Sequence, residues 1–538
     1  MLQRILAYFF FIIIIAAFYQ CARRGSPTGG PKDIEAPILI KAEPENMSIN
    51  FSENKIRLYF NEYIKLKDVQ EQLIISPPLK YTPDLSPQGG ASKYVEITIK
   101  DTLKENTTYT LNFGESIVDN NEGNPNSFLT YIFSTGTYID SLEIKGVVKD
   151  AFNKDADTFI SVMLYEIDSA YTDSTIFQKP PNYITNTLDS TIIFNLKNLK
   201  KGNYALFALK DDAKNHVFDQ NTDKIGFIKD TISIPTDSIF LLTLFKEVPN
   251  FAMAVPTLSA KNKITFGYFG DGKNSIIKPI SIIPDSVEIM LQKEPKKDSI
   301  NFWFTPFEMD SLLFTVTNQK YKTLDTFKIK SRKIAIDTLT LSANHRGAID
   351  LNDSFHLTGN TPLIAMDSSK IKMIDKDSLP IKFSVILDTL ENALAFNFEK
   401  KPNQSYLIDI FPGAITDFFN TTNDTLSIGL KTKSLADYGN LRLSVVGTNL
   451  EFPLIVQLTN EKGEVQREIY ALESEVFEFN HLKPAKYMAR VLFDSNSNKK
   501  WDTGNYLLQI EPEKVSYYPV PIEVRANWEL EQTFTVLD

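Results

Sequence analysis

The chain has 538 residues, a formal net charge of -10 and one cysteine. At roughly 150 residues per domain this length holds three or four domains, or more if they are β units of about 100 residues. A hydrophobic fraction of 43% with 23% charged residues excludes wholesale disorder. The excess of 67 Asp+Glu over 57 Lys+Arg argues against a nucleic-acid partner, and a lone cysteine excludes intrachain disulfides and multi-cysteine metal sites.

The chain opens with Arg4 and an uncharged apolar run from Ile5 to Tyr19. A positive start and an apolar core of about 7–15 residues define a secretory signal, whereas a spanning helix needs about 20. Cys21 directly follows, and this placement resembles a bacterial lipoprotein signal, in which the cysteine thiol takes the lipid. Phe18, Tyr19 and Gln20 depart from the usual Leu-small-Gly/Ala pattern before it. The resemblance implies a signal peptide over 1–20, lipid attachment at Cys21, and a mature chain held to the outer membrane. Residues 21–34 contain Gly25-Ser26-Pro27-Thr28-Gly29-Gly30-Pro31, turn formers with no apolar residue to bury, and read as a tether. Which face of the membrane the chain occupies is left open by the sequence.

Beyond the tether the chain reads as strands nearly throughout. Ile56–Phe60, Val95–Lys100 and Tyr109–Phe113 alternate apolar and polar residues, which gives a half-buried strand its apolar face. Turn formers from Asp119 to Asn126 separate such runs, and no long helical stripe is found. The expected fold class is all-β, with β-sandwiches in series.

Ile74-Ile75-Ser76-Pro77, Asn106-Thr107-Thr108-Tyr109-Thr110-Leu111, Ile117-Val118-Asp119 and Ile132-Phe133-Ser134-Thr135-Gly136 together resemble the bacterial Ig-like domain of S-layer and surface proteins. With Ser26-Pro27-Thr28-Gly29-Gly30-Pro31-Lys32-Asp33 after the cysteine, the first part also resembles a Bacteroidetes lipoprotein family that begins with this module. A fainter copy follows later: Asn403-Gln404-Ser405-Tyr406 with Ile415 and Asp417 repeats Asn106–Tyr109 with Ile117 and Asp119.

A second repeat has stricter spacing. Leu199, Tyr204, Asp211, Asn215, Phe218 and Asp219 recur as Leu482, Tyr487, Asp494, Asn498, Trp501 and Asp502, with intervals of 5, 7, 4, 3 and 1 in both copies. The pattern resembles transthyretin-like or carboxypeptidase-regulatory-like sandwiches and implies a prealbumin-like fold. The expected domains are an Ig-like sandwich over 35–138, a transthyretin-like sandwich over 139–248, a β domain of unassigned type over 249–340, a second Ig-like domain over 341–436 and a second transthyretin-like sandwich over 437–538.

Three segments invite chemical readings. Gly267-Tyr268-Phe269-Gly270-Asp271-Gly272-Lys273-Asn274 approaches a phosphate-binding loop, but Asn274 replaces the magnesium-ligating hydroxyl and a strand follows where a helix is needed. A hairpin turn at Gly270-Asp271-Gly272 is the favoured reading. Asp494, Asn496, Asn498 and Asp502 resemble the alternating oxygen ligands of an EF-hand calcium loop. Lys499 replaces its turn glycine and Asn505 its bidentate glutamate, so any calcium site there has weak affinity; the rival reading is an Asx turn held by its own hydrogen bonds. His216, His345, His356 and His481 share no ligand spacing, no G-x-S-x-G elbow is present, and no acidic pair stands out as glycosidase carboxylates. The reading is a non-catalytic structural or interaction module on a tethered rod, without a catalytic residue or cofactor. Its partner would be an envelope protein, as an accessory subunit of an outer-membrane assembly or secretion complex. The alternative is a surface adhesin or glycan-binding lipoprotein, which requires an exposed aromatic platform.

Overall fold

The computed structural model describes residues 32–127, 129–187, 192–295, 297–334, 337–448, 450–474 and 476–536. The signal peptide, Cys21 and most of the tether lie outside the described residues. The regular secondary structure is nearly all strand, and none of the described helices is long and apolar enough to cross a membrane. The chain divides into two compact units, one running to Leu142 and including Lys197–Lys200, the other containing Glu143–Leu196 and the chain from Lys201 onward.

The first unit contains a sandwich. One sheet orders strands Leu39–Glu43, Lys55–Leu66, Ser92–Thr98 and Asp84–Ser86; the other orders Ile74–Ser76, Thr108–Asn112 and Thr130–Ser134. Alternation decides which side chains meet between them. Ile56, Leu58, Phe60, Val95 and Ile97 turn inward against Tyr109, Leu111, Tyr131 and Phe133, all buried. The Asp119 carboxylate accepts backbone N–H bonds from Asn121, Glu122 and Asn124 at 2.6–2.8 Å, which closes the polar turn.

The second unit begins with a sandwich whose sheets order strands Tyr183–Asn186, Ser161–Glu166, Gly202–Lys210 and Lys224–Phe227, and Ile193–Leu199, Leu142–Asp150 and Ile239–Leu244. The last sandwich repeats this order with Val465–Ala471, Leu454–Thr459, Ala485–Phe493 and Val515–Tyr517, and with Val476–Leu482, Gly439–Val446 and Glu529–Thr535. Each contains one parallel pair, Ile239–Leu244 on Leu142–Asp150 and Glu529–Thr535 on Gly439–Val446. The spacing repeat is therefore also a repeat of topology.

Between them lie two further sandwiches, with cores around Phe266, Phe302 and Phe314 and around Leu357, Leu394 and Ile408. In the second of these the Ig-like repeat has a physical basis. Tyr109 and Tyr406 each accept, through their hydroxyls, the backbone N–H five residues earlier, Lys104 at 2.9 Å and Lys401 at 2.7 Å. Thr135 and Thr432 accept from Thr107 and Gln404 at matching positions.

Two expectations are revised. Gly270-Asp271-Gly272 is not a hairpin turn: strand Lys263–Phe269 pairs in one sheet and Ser275–Pro279 in the other, so the turn carries the chain across the sandwich. Gly270 adopts φ +71°, and a Cβ there would meet Pro249 O, which is why glycine stands at this corner. The rod is revised within the second unit. Its sandwiches touch in succession, through Gln220 to Asn250, Trp303 to Phe419 and Tyr438 to Asp350, but the last then packs back against the first of them.

Candidate functional site

The Asp loops are the strongest sequence-level candidates. Asp494 accepts the backbone N–H of Asn498 at 3.0 Å and of Lys499 at 2.8 Å. Its counterpart Asp211 accepts from His216 at 2.6 Å. The equivalent residues Ser497 and Lys214, and Lys499 and His216, all have left-handed backbone, so each aspartate stabilises a loop that local sterics disfavour. Asn496 and Asn498 turn their side-chain amides to Asp502 Oδ2. All four candidate ligands thus come together, bonded to one another and to the loop backbone. Among the described residues no three His, Cys, Asp or Glu side chains converge as a metal site.

This loop also docks. Trp501 donates its indole N–H to Glu513 O at 2.9 Å and lies against Phe152 of the second unit's first sandwich at 4.7 Å. Arg490 covers the Phe152 ring at 4.5 Å, and Tyr517 donates to Phe152 O at 2.7 Å. Beyond the Asp loop, Tyr506 plugs an aromatic pocket of Phe177, Phe207 and Phe227. The buried Glu247 carboxylate accepts the backbone N–H of Tyr506 and the amide of Gln220. Burial, together with the neighbouring Tyr171 hydroxyl, pushes the Tyr506 phenol well above its ordinary range. At Gly504 a Cβ would stand 2.8 Å from the Phe245 ring, so the chain approaches closely only with glycine there. The sequence reading missed this contact; its signal was an apolar Trp501 and Tyr506 inside an otherwise polar segment.

His216 faces Asp211 at 3.7 Å, and burial lowers its pKa more than that carboxylate raises it, so the ring is neutral at pH 7. His345 lies 3.7 Å from Asp353.

Two exposed sheet faces stand out. On the first sandwich of the second unit, Ile239 is 78% and Leu241 52% exposed, beside half-buried Val147 and exposed Ile193. The sister sandwich supplies an internal comparison. Where the first pairs Ile239 with Lys145 and Leu241 with Val147, the last pairs Glu531 with Arg442 and Thr533 with Ser444. Arg442 there reaches Glu531 at 2.7 Å and Glu478 at 3.5 Å. The same sheet thus has a charged and polar outer face in one copy, while in the other apolar Ile239, Leu241 and Val147 stand beside the Lys145–Glu143 ion pair. Among the described residues no strand pairs in a ladder along the outer edge of Ile239–Leu244, but Lys224–Phe227 closes on its end, where Ile225 bridges Phe245 and a Cβ at Gly226 would stand 2.8 Å from Thr243 O.

The other face belongs to the first unit's sheet that contains Leu39–Glu43 and Lys55–Leu66. Across its strands Lys41, Tyr59 and Tyr94 stand in one row, and Glu43, Arg57 and Glu96 in the next. The Tyr59 and Tyr94 rings lie 5.7 Å apart, with Lys41 over the first and Arg57 over the second. Tyr59 donates to Glu43 at 2.9 Å, and Arg57 reaches Glu96 at 2.7 Å. Bonds from Lys41 and Tyr59 hold the Glu43 carboxyl below its ordinary pKa, bonds from Arg57 and Lys55 do the same for Glu96, and the bond to Glu96 raises that of Arg57. Further along the strand Tyr63, 56% exposed, lies under Lys93 at 5.4 Å. Alternation places Tyr59 outward, beside Lys55 and Arg57, but gives no hint that Tyr94 stands opposite.

Residues 33–135 match the family described as bacterial Ig-like domain. No curated protein matches the chain. Among solved structures, the S-layer protein SbsC is similar at 12% identity and TM-score 0.15, covering 90% of this chain and 67% of its own. A mixed-linkage glucan utilization protein of Bacteroides ovatus, SGBP-B, is similar at 9% identity and TM-score 0.18, covering 72% of this chain and 92% of its own. Titin domains align at 12% identity and TM-score 0.13 over 52% of this chain and 98% of theirs. The chain is a multi-domain β-sandwich protein whose first described sandwich matches the bacterial Ig-like family.

Proposed function

We infer that the chain is an exported, lipid-anchored, non-catalytic interaction protein, tethered through Cys21 and serving as an accessory subunit of an outer-membrane protein assembly. The observation that carries this reading is the apolar outer face at Ile239, Leu241 and Val147, set against the charged face of the sister sandwich. Two copies of one topology need no apolar outer face to fold, because the last sandwich does without it. Fully burying an Ile or Leu side chain is worth about 1.5–3 kcal/mol, and this surface leaves much of that unused. The occupant is an extended strand of a partner protein, added along the edge at Ile239–Leu242. Its apolar residues would cover Ile239 and Leu241, and its acidic residues would face Lys145 and Lys149.

The test copies the sister face onto this one with Ile239→Glu, Leu241→Thr and Val147→Ser. The variant is expected to fold, since the introduced carboxylate would face Lys145 as Glu531 faces Arg442. It is expected to lose at least ten-fold of the envelope partner recovered from solubilised membranes with the wild type. Equal recovery would overturn the assignment of this face.

A further inference from the structure

We propose that the tyrosine face of the first unit is a binding site for a carboxylated polysaccharide. The site consists of Tyr59, Tyr63 and Tyr94 with the cations Lys41, Lys55, Arg57 and Lys93. This goes beyond the tethering role and rests on the alternative reading of the chain as a glycan-binding protein.

The chemistry of the face selects the ligand. Tyr63 and Tyr94 are 56% and 39% exposed, large aromatic areas left in water on a sheet whose other face is a packed core. A sugar ring presents a face of C–H groups that stacks on such rings, while its hydroxyls need donors and acceptors at the rim. Glu43 and Glu96 supply acceptors, the Tyr94 phenol supplies both, and Tyr59, whose O–H goes to Glu43, supplies an acceptor. These groups are held in place before any ligand arrives, because each glutamate is bonded to a cation of the same face, Lys41 to Glu43 and Lys55 and Arg57 to Glu96. Little side-chain entropy is then lost on binding.

Charge decides which polysaccharide fits. Lys41, Lys55, Arg57 and Lys93 outnumber Glu43 and Glu96 around the three rings, while a separate acidic group of Asp33, Glu35, Asp119 and Glu122 surrounds Glu62 at the Tyr63 end, on a chain whose net charge is -10. The next pair outward, Lys100 with Asp84, cancels. Lys93 stands over Tyr63 rather than beside a carboxylate, so a uronate stacked on that ring would meet an ammonium at its edge. The adjoining edge strand Leu39–Glu43 carries Lys41 and Glu43 and extends this surface beyond the tyrosines.

The experiment uses the full-length lipidated protein in detergent micelles, with polygalacturonate as the carboxylated probe and dextran as the neutral one. Polygalacturonate is expected to bind at least ten-fold more tightly than dextran. Its affinity should fall several-fold between about 0.05 and 0.3 M salt, as exposed charges are screened. Tyr94→Ala and Tyr63→Ala should each weaken it about ten-fold, and Lys93→Glu at least as much, with unfolding midpoints unchanged. Tyr94→Phe should retain most of the affinity. Equal binding of dextran, lost in the tyrosine variants, overturns the carboxylated class while leaving a glycan site. Binding indifferent to all these variants overturns the site. Binding of neither probe overturns the site and the glycan reading together, and it leaves the anchored-subunit reading to its own test.

Discussion

The ring of Tyr506 meets that of Phe207 edge to face, with centroids 5.1 Å apart and planes at 88°. The two residues belong to different sandwiches of the second unit, and Tyr506 is only 3% exposed. Such a pair adds to the area it buries, because the ring edge is positive and the ring face negative. Removing the ring with Tyr506→Ala should destabilise the chain by about 3–5 kcal/mol in urea unfolding, as large-to-small aromatic changes do. Tyr506→Phe, which keeps the ring and loses the bond to Tyr171, should lose only about 0.5–1.5 kcal/mol. Hydrogen exchange should speed up around both Tyr506 and Phe152 in the alanine variant. An unchanged midpoint would show that the two sandwiches are not coupled.

The Asp loops give a second prediction. Asp494 and Asp211 hold backbone N–H groups of loops that contain left-handed residues. Asp494→Ala should lower stability by about 1–3 kcal/mol through the donors left without a partner, equally with chelator and with calcium. A calcium-dependent rise in the wild-type melting temperature that vanishes in Asp494→Ala would instead establish the EF-hand-like reading of Asp494, Asn496, Asn498 and Asp502.

Acid should loosen the contact between the fourth and last sandwiches. Burial works against ionisation of Asp350, but the bonds from Lys483 and from the Tyr438 hydroxyl outweigh it, so the folded pKa lies below the ordinary 3.8. A group depressed in this way contributes stability above its unfolded pKa, and that contribution is lost as pH falls through the folded value. Wild-type stability should therefore drop steeply below about pH 4. Asp350→Asn should start lower at pH 7 and show a shallower drop; the same slope in both would remove Asp350 from the acid response.

Much of the fold was legible because period-two alternation, as in Ile56–Phe60, is a local property that sheet packing then exploits. The Leu199 and Leu482 repeat was legible because its spacing mirrors one topology used twice. Other features depend on what stands opposite. Alternation cannot tell that Tyr94 faces Tyr59, since register is set by the partner strand. It likewise marks both sides of Gly270-Asp271-Gly272 as strand without revealing that they lie in different sheets. Trp501 stands in the polar Asp loop with no local sign of its partner, because Phe152 is remote in sequence, and the same holds for Tyr506 and Phe207. The run Ile239–Leu244 does not itself tell which of its apolar residues face out, and the sister sandwich shows that such positions can be charged.

The anchor makes a separate prediction. Cys21→Ser should move the protein from the membrane to the soluble fraction and abolish incorporation of labelled fatty acid. Membrane retention of the variant, or an unlabelled wild type, would refute lipid attachment.

The most direct test of the interaction role places a photo-crosslinking residue at Leu241 in otherwise wild-type protein and irradiates intact cells. The expected result is one discrete adduct with an envelope protein, absent when Cys21→Ser frees the chain and absent when Ile239→Glu is added. The contradictory result is no adduct at Leu241, or an adduct that persists unchanged in both variants.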